Sequence, residues 1–187
     1  MQHQGGVAGA VKRETVKKGG RPMALQKEVE AILNKQIEQE FDAAVVYYGM
    51  YISFEKELFK GFAAWFKHHV GEEMSHAAKI IEYMLERGVS PAIPATKAPN
   101  TKYDSPLEAM KGALAHERAN TAGIHACLKV AAKADDPATT EMLQWFVKEQ
   151  VEEELWAEEY VQMVEKLQSS VGGMYAFDHA VGKRIKA

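Results

Sequence analysis

The stretch GEEMSHAAKIIEYMLERG, residues 71–88, reads as a helix with one buried face, yet that face carries an acid, Glu73, and an imidazole, His76. Extended upstream, the face runs Phe66, His69, Glu73, His76, Ile80, Met84. Spacings of three and four keep one side of a 3.6-residue helix pointed inward. Gly88 ends the pattern. A carboxylate left alone in a core loses solvation worth several kcal/mol, so the stripe needs a reason.

Three further stripes share the period. The first helix shows Leu33, Ile37, Glu40, Ala44, Tyr47 and Tyr51; the third shows Leu107, Met110, Leu114, Glu117, Thr121, Ile124 and Leu128; the fourth shows Leu143, Phe146, Gln150, Glu153, Ala157, Tyr160 and Val164. The third opens at SPLE, where Ser105 caps, Pro106 suits the first helical position and Glu108 completes a capping box. The fourth opens at Asp136 and Pro137. No segment alternates with the period of a strand, so the chain is expected to be all-α. The first two helices are expected to join near Gly61 and the last two at ADDPA, both as antiparallel hairpins. Between these pairs lies VSPAIPATKAPNTKYD, residues 89–104. Extended, it reaches roughly 50 Å, against about 42 Å for a helix of about 28 residues. The expectation is a four-helix bundle with one long crossover between helices 2 and 3.

Composition narrows the class. At 187 residues, 47% hydrophobic and 26% charged, the chain is long enough for a sizeable core and fits a single domain. A net charge of −3 argues against general nucleic-acid affinity. The single cysteine, Cys127, forms no internal disulfide, and no apolar run is long enough for a membrane span. A cytoplasmic location is expected. Residues 1–23 differ from the rest: they are Gly-rich, with Lys12, Arg13, Lys17, Lys18 and Arg21 against the single acid Glu14. They read as a mobile basic tail ahead of a domain over 24–187. The tail lacks the apolar core of a secretory signal and is poor in Ser for a transit peptide. Organellar import through it stays open, as does Met23 as the true start.

Each stripe carries an acid near its middle, Glu40, Glu73, Glu117 and Glu153, and no lysine or arginine lies on the stripes. Four acids at matching depth need positive charge among them. A pair of divalent cations supplies it, and carboxylates with one imidazole suit iron or manganese.

The segments NKQIEQE, GEEMSH, ALAHE and above all LQWFVKEQVEEE resemble the non-haem ferritins of bacteria and archaea, over about residues 24–180. Ferritin-like di-iron bundles draw one Glu from each of two helices and Glu-x-x-His from the other two. Here Glu73-x-x-His76 is intact, while the fourth helix has Gln150-x-x-Glu153, the form that separates this chain from bacterioferritins and rubrerythrins. The resemblance implies ferroxidase and iron-storage activity, oxidising Fe(II) with dioxygen. Glu40, Glu73 and His76 would hold one iron, with Glu73 bridging. Glu117 would hold the second, with Glu153 near it and Gln150 as a weak ligand or hydrogen-bond donor. Tyr47 would lie beside the pair, bonding a ligand or supplying an electron. Glu72, Glu149 and Glu152, with Glu153 shared, would form a third iron site. Glu141, with Gln144 in place of a second acid, would line a threefold pore. GGMYAFDHAVGKRIKA would form a short fifth helix around a fourfold axis of a homo-oligomeric 24-subunit shell.

The neighbouring residues have plainer readings. His69 is expected to be packed behind the ligands, and His116 to point sideways. Met74 occupies the place of a haem ligand in bacterioferritins, but non-haem ferritins also carry methionine there, so haem is not expected. Trp145, Tyr48 and Tyr51 read as core or interface aromatics, and Glu158 and Glu159 as solvated. Three other classes are open. A rubrerythrin-like peroxidase would normally add a Cys-x-x-Cys pair, which one cysteine cannot supply. A DNA-protecting miniferritin would suit the basic tail but places its metals between subunits. A silent scaffold subunit would be expected to have lost one of the ligands.

Overall fold

The computed structural model describes residues 24–185. The tail over 1–23, with Met23, therefore lies outside the described residues. Among those described there are five helices and no strand: α1 Lys27–Lys56, α2 Lys60–Glu86, α3 Pro106–Lys133, α4 Pro137–Leu167 and α5 Val171–Arg184. None is long and apolar enough to cross a membrane. The four-helix bundle with a long crossover is the fold expected from the stripes, and the short fifth helix is the one the resemblance implies.

The inward stripes are buried almost throughout; Tyr51, Leu107, Thr121 and Leu128, at their margins, are half-buried. Ser105 caps α3 by accepting from Glu108 N at 3.1 Å, while the Glu108 carboxylate reaches back to Asp104 N at 2.6 Å. Asp136 caps α4 through Thr139 N at 3.1 Å. It also pairs with Arg87, from the end of α2, at 3.0 Å through both guanidinium nitrogens.

Three helices stop in the same way, with a residue in the left-handed region and a six-residue hydrogen-bonded ring: Leu58 (φ 66°), Gly88 (φ 76°) and Asp135 (φ 52°). In each, the following N–H returns to a carbonyl in the last turn, as Phe59 to Phe54 (3.0 Å) and Val89 to Met84 (3.0 Å). The first hairpin thus turns at Leu58, just before Gly61, where the joint was expected. Gly61 lies inside α2 for another reason. A Cβ there would sit 1.7 Å from the Asp178 carbonyl oxygen of α5, and a Cβ on Gly182 would sit 2.9 Å from Gly61 Cα. The glycines let α5 lie directly on the start of α2. There Asp178 accepts from Phe62 N at 2.7 Å, capping a helix whose own cap residue, Phe59, cannot do so.

The crossover follows α1. Ala92 N donates to Asn34 Oδ1 at 2.8 Å near its start. Near its end Asn100 O would lie 2.2 Å from a Cβ at Gly49. The core is in two parts. One holds Leu33, Ile37, Ile80, Met84, Ile124, Leu143 and Phe146; the other holds Tyr47, Phe54, Phe62, Phe66, Met110, Tyr160 and Phe177. Glu40, Glu73, His76, Glu117, Gln150 and Glu153, one or two from each long helix, lie between these halves.

Candidate metal centre

Glu40 is fully buried on α1, and both its carboxylate oxygens are held. Gln36 Nε2 donates to Oε1 at 2.9 Å and Asn120 Nδ2 to Oε2 at 2.8 Å, while Gln36 also donates to Asn120 Oδ1 at 2.6 Å. Gln36 is one turn before Glu40 and Asn120 one turn after Glu117, so the helical period places both on the buried face. The stripes read from the sequence pass through Ile37 and Thr121 and miss both amides, whose role as a clamp depends on α1 and α3 packing together.

On α2, Glu73 and His76 share a face across one turn. His76 Nδ1 lies 3.4 Å from Glu73 Oε2 and 3.9 Å from Glu40 Oε2. Both His76 Nδ1 and Glu73 Oε2 are buried without a hydrogen-bond partner. Burial, with Glu40 and Glu117 nearby, pushes the Glu73 carboxyl well above the usual range. Glu40, Glu73 and His76 each offer a ligand atom within 4.8 Å of the others. Orphaned atoms of this kind in a native core call for an explanation. A divalent cation bound by two carboxylates and an imidazole satisfies both of these atoms, so the residues present fit the group.

Across the bundle, Glu117 accepts a short hydrogen bond from the Tyr47 hydroxyl and another from Gln150 Nε2 at 3.3 Å. Burial raises its pKa to about 7, against the pull of those donors. The Tyr47 hydroxyl is held well above its ordinary value by burial and then by the carboxylates around it. Glu153 accepts from Trp156 Nε1 at 2.5 Å. Its pKa rises to about 8, first from burial and then from Glu117. These acids are therefore poised to exchange a proton for a cation near neutral pH.

Outside the central layer, His69 is buried, with Nδ1 3.0 Å from Trp65 O. Its Nε2 lies 3.2 Å from Glu72 and 3.9 Å from Glu153. Burial lowers its pKa to about 3, so the ring is neutral. With Nδ1–H donating to the carbonyl, Nε2 presents a lone pair to the two acids. Two further groups of potential ligands converge among the described residues, His69–Glu72–Glu153 and His76–Glu149–Glu153. Glu152 is exposed and joins neither.

The other singled-out residues lie further off. Glu141 and Gln144 are exposed and line a surface hollow of about 470 Å³ at the start of α4, with Asp135 and Thr140. Met74, at 43% exposure, faces away from the centre. His116 is half-buried beside Asp42. Trp145 is 37% exposed, its ring 5.5 Å from His76 and beneath Lys79 at 4.3 Å. Tyr48 is 48% exposed and packs on Tyr51 at 5.9 Å. Cys127 is buried, and burial pushes its thiol up to about 12.

A four-helix bundle with carboxylates and histidine converging at mid-depth defines a protein of the metal-carboxylate class. Residues 30–167 match the family model described as Ferritin-like domain, and the chain belongs to the ferritin family. It is 34% identical to the bacterial non-heme ferritin of Staphylococcus epidermidis over 160 residues, covering 86% of this chain and 96% of that one. It is 32% identical to the bacterial non-heme ferritin of Bacteroides fragilis, covering 86% and 99%. Among solved structures, the open pore ferritin of Archaeoglobus fulgidus superposes with a TM-score of 0.83 at 31% identity, over 85% of this chain and 98% of that one.

Proposed function

We propose that this chain stores iron, oxidising Fe(II) with dioxygen at a pair of metal positions inside each subunit. The observation that carries the reading is the convergence of Glu40, Glu73 and His76, with Glu73 Oε2 and His76 Nδ1 left unpaired in the core. Iron is the substrate. One Fe(II) is held by Glu40, Glu73 and His76; the other is held by Glu117 and Glu153, with Glu73 between them and Gln150 at hydrogen-bonding distance. Two Fe(II) give one electron each to dioxygen, which with two protons becomes hydrogen peroxide. The carboxylates offset the charge of the two Fe(III) products, and their raised pKa values let them release protons as the cations arrive. Tyr47, on Glu117, is placed to bond a ligand or donate an electron. Glu72 and Glu149, each grouped with Glu153, supply a third iron position, with Glu152 next to Glu153 on α4. Glu141 lines the inward route in a shell of 24 copies.

The test is stopped-flow oxidation with oxygen uptake. Wild type is expected to oxidise two Fe(II) per dioxygen in a rapid first phase. Glu73→Ala and His76→Ala are expected to assemble but lose that phase; rapid oxidation in both variants would overturn the site.

A further inference from the structure

Glu153 accepts from Trp156 Nε1 at 2.5 Å, and behind that bond stands a column of oxidisable rings. The Trp156 and Trp65 centroids are 3.9 Å apart, Trp65 is 5.1 Å from Tyr160, and Trp156 is 5.8 Å from Tyr160. Trp65 and Tyr160 are buried and Trp156 is half-buried. The Arg184 guanidinium lies 5.7 Å over the Tyr160 ring at the outer end, and its side chain is 54% exposed. The neighbouring stack, Phe54, Phe62 and Phe66, is all phenyl. Indole and phenol give up one electron far more readily than phenyl, and rings this close exchange electrons without moving. Packing alone asks only for apolar volume and some acceptor for the indole N–H. Here the acceptor is a carboxylate of the iron site, and the next rings in line are both oxidisable.

We propose that Trp156, Trp65 and Tyr160 form a hole-transfer column that draws one-electron oxidants away from the iron site. The proposal rests on the ferroxidase reading, which supplies the hydrogen peroxide. Peroxide meeting a further Fe(II) takes one electron from the iron and one from Trp156. The O–O bond breaks, and the products are Fe(III), hydroxide, water and the neutral Trp156 radical, the indole N–H hydrogen ending in the water by way of Glu153. Tyr160 then reduces that radical through Trp65. The phenolic proton leaves to solvent beside Arg184, Trp156 takes a proton back through Glu153, and a soluble one-electron reductant such as ascorbate restores Tyr160. The column would convert peroxide to water without releasing hydroxyl radical.

Two measurements on the assembled full-length protein test this. In the first, Fe(II) and hydrogen peroxide are mixed and freeze-quenched for electron paramagnetic resonance, with yields normalised to iron oxidised. Wild type is expected to pass from a tryptophanyl to a tyrosyl signal. Tyr160→Phe should hold the tryptophanyl signal longer and accumulate oxidised indole at Trp156 or Trp65 by peptide mass spectrometry. Trp156→Phe should lose the signal and release more hydroxyl radical to a spin trap. Equal radical yields and trapping in wild type and both variants would overturn the proposal. The second uses no iron: azide radicals from pulse radiolysis oxidise indole in a Trp145→Phe background, which removes the exposed tryptophan. Indolyl absorbance should convert to tyrosyl absorbance there and not when Tyr160→Phe is added. Absence of that dependence overturns the column itself, whereas failure of wild type to oxidise iron overturns the ferroxidase reading.

Discussion

Glu40 has its two oxygens fixed by Gln36 and Asn120 before any cation arrives, and that preorganisation is measurable. Asn120→Ala is expected to weaken zinc binding roughly 10–100-fold, the usual cost of removing a partner that orients a ligand; an unchanged calorimetric affinity would contradict the clamp. Folded Glu117 and Glu153 hold their protons to about pH 7 and about pH 8, against an ordinary value of 4.5, so the folded state binds more protons and stability falls as pH rises through that range. His69 acts oppositely. Its pKa drops from 6.5 to about 3, so its stabilisation is complete above pH 6.5 and is lost as pH falls. The two effects oppose each other below about pH 6.5, and the carboxylates alone act from there to about pH 8. The thermal midpoint of metal-depleted protein should therefore fall across that window, and excess zinc should flatten the slope by taking the place of the protons. A rise, or a slope indifferent to zinc, would contradict the assignment. At the third position, Glu149→Ala with Glu152→Ala should lower the number of Fe(II) bound per subunit in anaerobic calorimetry while sparing two-iron oxidation. Equal binding would remove that position from the account.

At the scale of elements, the joint between α2 and α5 is the most exacting contact. Gly61→Ala must push the Asp178 backbone away, because its Cβ would lie 1.7 Å from that carbonyl oxygen. The Asp178 cap on Phe62 N goes with it, a loss of about 1 kcal/mol. Hydrogen exchange is expected to quicken over α5 and the first turn of α2 and to stay unchanged at Glu73 and His76; uniform exchange across the chain would contradict the joint. The joint near Gly61 was legible, but the residue that turns it was not: it is Leu58, whose side chain gives no sign of a left-handed backbone. By contrast the stripes were fully legible: a three-four period with caps at Ser105 and Asp136 can only be helices packed by one face. The depth of Glu40, Glu73, His76, Glu117 and Glu153 followed from it. What the period does not carry is partnership across helices. The bonds from Asn120 to Glu40 and from Trp156 to Glu153, and the lone pair that His69 turns to Glu72, depend on rotamers and packing.

At the scale of the whole molecule, the described chain leaves Leu58, Val151, Leu155, Val171 and Tyr175 more than 45% exposed, in the α1–α2 turn and on α4 and α5. Such surfaces suit assembly, and light scattering is expected to give a mass near 24 subunits. Within such a shell the exposed Glu141 would draw cations electrostatically, so Glu141→Gln should slow iron uptake chiefly at low ionic strength, where screening is weakest. An uptake rate unchanged at low salt would move the route elsewhere. Anomalous X-ray diffraction from crystals soaked anaerobically in Fe(II) would locate the two metals proposed inside each subunit. Two iron peaks per subunit are expected, one within bonding distance of Glu40, Glu73 and His76 and the other of Glu73 and Glu117; iron found only at surface acids, with that pocket empty, would rule out the two-metal site.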